Sequence, residues 1–334
     1  MDDHGGFAFS DGRGGVMATV NGVLGPIDTG DLGFTLMHEH ILIANWSMRQ
    51  SFADWIDAER VVEYAASELV KAKQAGVQTV ADLTPINIGR DIHIIREAAA
   101  RAEVNVIAST GLYYHEEPWL VAWPPEKLVE WLIRDITDGI QGTDIKAALV
   151  KCATNETGVT EFNKKLLQTA AQLHRATGVP ISTHSDVACR SGLGQQDVFE
   201  EAGVDLSRVV IGHCGDSEDI GYLSEILGRG SFIGMDRFGL DMILPSEQRV
   251  HVIAELCRNG HAGQMVLSHD ACCHIDFFPD MDPDLSAAMV PNWNFRHIPC
   301  DVVPALRKNG VTEEQIRAMT VDNPRRIFEK QGAY

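Results

Sequence analysis

Short apolar runs alternate with longer amphipathic stretches along most of the chain. The runs are FTLMHEHI at 34–41, VQTVADL at 77–83, VNVIAST at 104–110, AALVKCA at 147–153, VPISTHS at 179–185, RVVIGHC at 208–214, SFIGMDR at 231–237 and QMVLSHD at 264–270. They are continuous rather than strictly alternating, as strands are when both faces are buried. Helix-length segments lie between them, at 57–75, 90–102, 126–140, 160–177, 191–203, 216–229 and 245–259. Several stop at glycine, as in KQAG at 73–76 and GRG at 228–230, where the missing Cβ lets the chain leave the helix with positive φ. The tail at 301–330 predicts further helices, with VTEEQ at 311–315 offering a threonine cap and a glutamate partner.

Eight such strands, each followed by a helix, predict an α/β fold of the (β/α)8 barrel kind in one domain from 16 to 334. An open doubly wound sheet is the rival. It would want a glycine-rich phosphate turn after an early strand, and the first strand runs instead into HEH. The opening MDDHGGFAFSDGRGG at 1–15 has neither a basic nor an apolar signal region and reads as a disordered arm or an appended remnant outside the fold.

Composition narrows the function classes. Asp and Glu number 47 against 28 Lys and Arg, a formal charge of −19 that disfavours nucleic acid or an anionic membrane as partner. No apolar run approaches the ~18 residues a membrane span needs. Seven cysteines with no Cys-x-x-Cys pair suit a reducing, cytoplasmic setting.

The polar residues at the strand ends carry the chemistry. His38, His40, Lys151, His184, His213 and Asp270 each follow an apolar run, and in a barrel these ends converge at the C-terminal face. Six ionisable groups brought together are tolerated mainly when paired or bound to metal. His38 and His40, two apart on a strand, point to one side and suit zinc or a similar ion, although a structural pair fits the spacing too. Lys151 fits two readings: a salt bridge to Asp270, or a carbamate formed with carbon dioxide that bridges two cations about 3.5 Å apart.

In their order along the chain, FTLMHEH at 34–40, LVKCAT at 149–154, ISTHSD at 181–186, VIGHCGD at 210–216 and LSHD at 267–270 resemble the phosphotriesterase family of the amidohydrolase superfamily. The resemblance spans roughly 30–330 and implies a (β/α)8 barrel with a binuclear centre. His38, His40 and Asp270 would hold the more buried ion and His184 and His213 the more exposed one. Carboxylated Lys151 and a hydroxide would bridge them. Zinc is the first expectation for the two divalent ions, with cobalt, iron or manganese also suited to the donors. Asp270 would accept the proton of the attacking hydroxide.

A finer resemblance is to the lactonase branch. Tyr113 in STGLYYHEEPW, Arg237 in DRFGLD, and the CCxID segment that begins at Cys272 match it. It implies a homodimer acting on a small lactone or ester, such as an N-acyl homoserine lactone or another γ- or δ-lactone, with side activity on organophosphate triesters. Tyr113 would orient or polarise the ring. The chain departs from that pattern at Phe277, where the branch carries tryptophan, and this puts acyl-chain preference in doubt. Phe278, Met289, Trp293 and Phe295, on the loop from 271 to about 300, either cover an acyl tail or pack on the barrel. Arg237 fits a structural pairing with Asp236 or Asp241 equally well. His269 is expected to face away from the site as a support, and His115, His274 and His297 fall in loops that the sequence does not place. A hydrolase of another ester, amide or phosphoester at the same centre, and a non-enzymatic metal-binding scaffold, remain open.

Overall fold

The computed structural model describes residues 18–278, 288–330 and 332–334. The segment at 1–15 and positions 279–284 of FFPDMDPD lie outside the described residues. A hairpin, β1 (Thr19–Gly22) and β2 (Gly25–Asp28), precedes eight parallel strands: β3 (Thr35–Glu39), β4 (Thr79–Asp82), β5 (Asn105–Gly111), β6 (Leu149–Ala153), β7 (Ile181–His184), β8 (Val209–Ile211), β9 (Phe232–Met235) and β10 (Met265–Leu267). Each pairs with the next in sequence order. The ring closes where the Asp270 N–H donates to the His38 carbonyl at 2.9 Å and the His40 N–H to the Ala271 carbonyl at 2.9 Å. All eight apolar runs are therefore strands, and the barrel expectation holds.

Helices cover the outside. They include α1 (Trp46–Ser51), α2 (Ala58–Gln74), α3 (Ile92–Ala102), α4 (Pro118–Ala122), α5 (Pro125–Thr137), α6 (Glu161–Thr177), α7 (Ser191–Glu201), α8 (Ile220–Gly228) and α9 (Ser246–Arg258). α8 starts later than the expected 216, because residues 214–216 form a separate short turn and Asp219 caps the helix by accepting from the Tyr222 N–H. The C-terminal capping box is real, but the partner of Thr312 is Gln315 rather than a glutamate. Gly76 and Gly230 stand at φ 100° and 105°, as the glycine stops require.

Successive strand residues divide between two apolar layers, as the two-residue period demands. Leu36, Val80, Val106 and Val150 face the helices. Met37, Ala81, Ile107, Leu149, Val210 and Val266 fill the interior with Val20 and Ile27 of the hairpin and Ile327 and Phe328 of the tail. The hairpin and tail thus close the N-terminal end of the barrel and leave the polar strand ends at the other. Among the described residues no helix is long and apolar enough to cross a membrane.

Candidate metal centre and active site

The six strand-end residues meet at the C-terminal face. Five of them, His38, His40, Lys151, His213 and Asp270, sit within one group joined by hydrogen bonds and ion pairs, and His184 joins it through His213, with 2.7 Å between His184 Nδ1 and His213 Nε2. Asp270 Oδ1 lies 3.2 Å from His38 Nε2 and 3.0 Å from His40 Nε2. The donor atoms of His38, His213 and Asp270 all lie within 4.8 Å of one another, a set that takes His38 and Asp270 from the ligands expected for the more buried ion and His213 from those expected for the more exposed one.

Backbone conformation aims several of these groups. His213, Arg237 and Asp270 have φ of 60°, 62° and 54°, the left-handed region that costs a non-glycine residue about 1–3 kcal/mol. A glycine there would relieve the strain but bring no imidazole, guanidinium or carboxylate to the site.

Asp236, named from the sequence only as a candidate partner of Arg237, organises the histidines. Its Oδ2 accepts from His38 Nδ1 at 2.9 Å and its Oδ1 from His213 Nδ1 at 2.9 Å. With both Nδ1 protons held there, both Nε2 lone pairs turn inward toward Asp270. His40 is fixed in the same way by Thr84, whose Oγ1 lies 2.8 Å from its Nδ1. Inward-facing imidazole nitrogens beside a carboxylate form a donor set that fits a divalent cation.

Electrostatics agree. Burial, with Lys151 beside it, lowers the His38 pKa to about 3, and burial with His213 beside it holds His184 well below the usual imidazole value. Burial works against ionisation of Asp270 and Asp236, yet the surrounding histidines draw both carboxyls well below the usual range. Burial lowers the Lys151 amine to about 8. Its Nζ lies 3.0 Å from His38 Nε2 and 3.4 Å from the Thr183 carbonyl, so the salt bridge to Asp270, one of the two readings of Lys151, is not what the structure shows.

Arg237 departs from expectation in its partners. It binds neither Asp236 nor Asp241: its Nε donates to Asp270 Oδ2 at 3.1 Å and a terminal nitrogen to Asp216 Oδ2 at 2.9 Å. Arg249, fully buried, meets Asp216 from behind at 2.7 Å. Asp270 is therefore held from the histidine side and from the arginine side together.

Above the centre opens a cavity of about 650 Å³. The Tyr113 hydroxyl reaches 3.1 Å from His184 Nδ1 at its base, and burial raises its pKa well above the ordinary phenol value. Cys272, Phe277 and Trp293 line the cavity with Ile43, Leu240 and Ile275. The long loop divides between the two expected roles: Phe278 and Met289 are exposed and line the cavity, whereas Phe295 is buried in the core. His115 also lines the wall, 5.9 Å from the Phe277 ring. Asp236 ends an apolar run just as the other strand-end residues do, so the rule that found them applies to it as well. Asp216, Thr84 and His115 give no comparable sequence signal.

A barrel that gathers histidines and a carboxylate beneath an apolar cavity is a metal-dependent hydrolase in architecture. A profile of the phosphotriesterase family matches residues 18–328, and the chain belongs to that family. It is 48% identical over 328 residues to the phosphotriesterase homology protein of Mycobacterium tuberculosis, covering 95% of this chain and 100% of the other. It is 36% identical over 304 residues to the aryldialkylphosphatase of Saccharolobus solfataricus, covering 90% and 96%. The solved structure of the phosphotriesterase from Mycobacterium tuberculosis superposes with a TM-score of 0.90 at 48% identity, covering 95% of this chain and 100% of that one. The chain is a metal-dependent hydrolase capable of ester or phosphotriester chemistry.

Proposed function

We propose that the chain hydrolyses uncharged esters or phosphotriesters that carry an apolar organic group. The observation that carries this reading is the His38, His213 and Asp270 cluster at the floor of a cavity with mainly apolar walls. The name of the Saccharolobus solfataricus relative, an aryldialkylphosphatase, supports placing this reading ahead of the lactone expectation. Bound divalent ions would make an ionised water available near neutrality and polarise the substrate's carbonyl or phosphoryl oxygen. Asp270 takes up the proton released on attack and passes it to the departing alkoxide. Arg237 fixes the Asp270 carboxylate while this happens. The Tyr113 phenol, kept protonated by burial, donates toward the substrate's oxygen.

Two ions shared by His38, His40, Lys151, His184, His213 and Asp270, with Lys151 as a carbamate and zinc as the metal, belong to the same proposal. The lowered Lys151 pKa supports it, since only the neutral amine reacts with carbon dioxide. A homodimer comes with the resemblance alone, and a cytoplasmic setting with the cysteine pattern alone. A lactone is the second reading, favoured by Tyr113 at the base of the cavity.

The test is a rate panel of paraoxon, p-nitrophenyl esters, γ- and δ-lactones and N-acyl homoserine lactones, run on metal-reconstituted and chelated enzyme. Metal-dependent turnover led by esters or triesters supports the main reading. A lead for lactones of about 100-fold in kcat/KM, worth roughly 2.7 kcal/mol, establishes the second. Metal binding without turnover of any panel member overturns both.

A further inference from the structure

The strand that presents His38 and His40 to the centre places Glu39 between them, on the opposite face and fully buried. This carboxylate collects four donors: Ser268 Oγ at 2.8 Å, the His269 N–H at 3.0 Å, His269 Nδ1 at 2.7 Å and the Ala271 N–H at 2.8 Å. All four flank Asp270, whose φ of 54° holds the chain in the left-handed region. Glu39 therefore satisfies the buried groups on both sides of the turn that aims Asp270.

His269 extends this clamp outward. With its Nδ1 proton given to Glu39, its Nε2 accepts from the Ile298 N–H at 3.0 Å. Its carbonyl accepts from Trp293 Nε1 at 3.0 Å. Trp293, with Met289 and Val290, forms one wall of the cavity above the metal centre. Glu39 and His269 thus stand where the turn that aims the proton acceptor and the loop that forms the apolar wall are fastened together.

We propose that Glu39 and His269 are positioning residues that set, through one imidazole, both the aim of Asp270 and the seat of the apolar wall against the substrate's organic group. Neither touches substrate. The two halves of the role are separable by side-chain shape. Asparagine at 269 keeps a donor near the Nδ1 position for Glu39 but cannot reach Ile298. Glutamine reaches toward Ile298 but places no donor against Glu39.

The inference rests on the ester reading for its substrates, and its test carries a readout that needs no turnover. Metal-reconstituted wild type, His269→Asn and His269→Gln are compared on p-nitrophenyl acetate and p-nitrophenyl decanoate. Hydrogen exchange is followed by mass spectrometry in a peptide spanning 293–300. His269→Asn is expected to raise KM for the decanoate about tenfold, to leave acetate kinetics within about threefold, and to speed exchange in that peptide. His269→Gln is expected to lower kcat on both esters about tenfold, with the ratio of the two KM values and the exchange near wild type. An unchanged KM ratio together with unchanged exchange in His269→Asn overturns the proposal. So does an equal loss in both variants that follows their metal content and Tm, because a merely structural role would act that way. If the wild type turns over neither ester, the ester reading fails, and exchange in the two variants still decides the positioning role.

Discussion

Two imidazoles share one carboxylate at this centre, and the sharing makes Asp236 sensitive to a change of one atom. An amide at that position accepts a proton from one ring but sets an N–H against the Nδ1 of the other. In Asp236→Asn, His38 or His213 must turn or change tautomer, and its Nε2 lone pair leaves the cluster. Metal affinity is expected to fall about 10- to 100-fold, measured by competition with a chelator; affinity within about twofold of wild type would remove Asp236 from its orienting role. His174 shows the same tautomer logic far from the site. Its Nδ1 donates to the Val179 carbonyl at 2.7 Å and its Nε2 accepts from the Tyr334 hydroxyl at 2.7 Å. Burial pushes its pKa below 6.5, so below that pH the unfolded chain takes the proton before the folded one. The stabilisation it gives is complete above 6.5 and is lost as pH falls. His174→Gln carries no such proton. Its deficit in urea midpoint is expected to shrink from about pH 8 to about pH 5, and a constant deficit would refute the assignment.

At the scale of elements, strands were the most legible feature, because a parallel strand buried on both faces has no choice but to be apolar throughout. The β1–β2 hairpin was not, since Thr19–Asp28 is short and mixed, and only its place beneath the barrel makes Val20 and Ile27 core residues. Site residues on regular strands, such as His38 and Lys151, could be read from their position in a run. The partners of Arg237 could not, because Asp216 and Asp270 come from different loops and meet it only through left-handed turns. Gly239 marks another contact between loops. It sits at φ 94°, and a Cβ there would lie 2.2 Å from the Asn292 carbonyl oxygen, beside the cavity wall. Gly239→Ala is expected to cost about 1–3 kcal/mol of stability by denaturant titration and to raise KM for bulky esters. A neutral effect on both would show that the two loops are not pressed together.

Charge and cavity act on the scale of the whole molecule, and they act on different substrates. A net charge of −19 gives the protein a negative field that salt screens over about 8–10 Å. The cavity wall contributes contacts with Ile43, Leu240, Ile275 and Trp293 that depend little on ionic strength. Among the described residues that line it, Arg237 and Lys151 are not free to counter the field, because Arg237 is held by Asp216 and Asp270 and Lys151 is buried against His38. An uncharged triester therefore feels little of this surface field as it approaches, whereas an anionic diester with the same aryl groups is repelled by it. Raising salt from about 20 to about 500 mM is expected to change kcat/KM for paraoxon less than about twofold and to raise it several-fold for bis(p-nitrophenyl) phosphate. The same slope for both substrates would mean that the cavity is shielded from the surface charge, and that the preference for neutral substrates has to come from the metal centre itself.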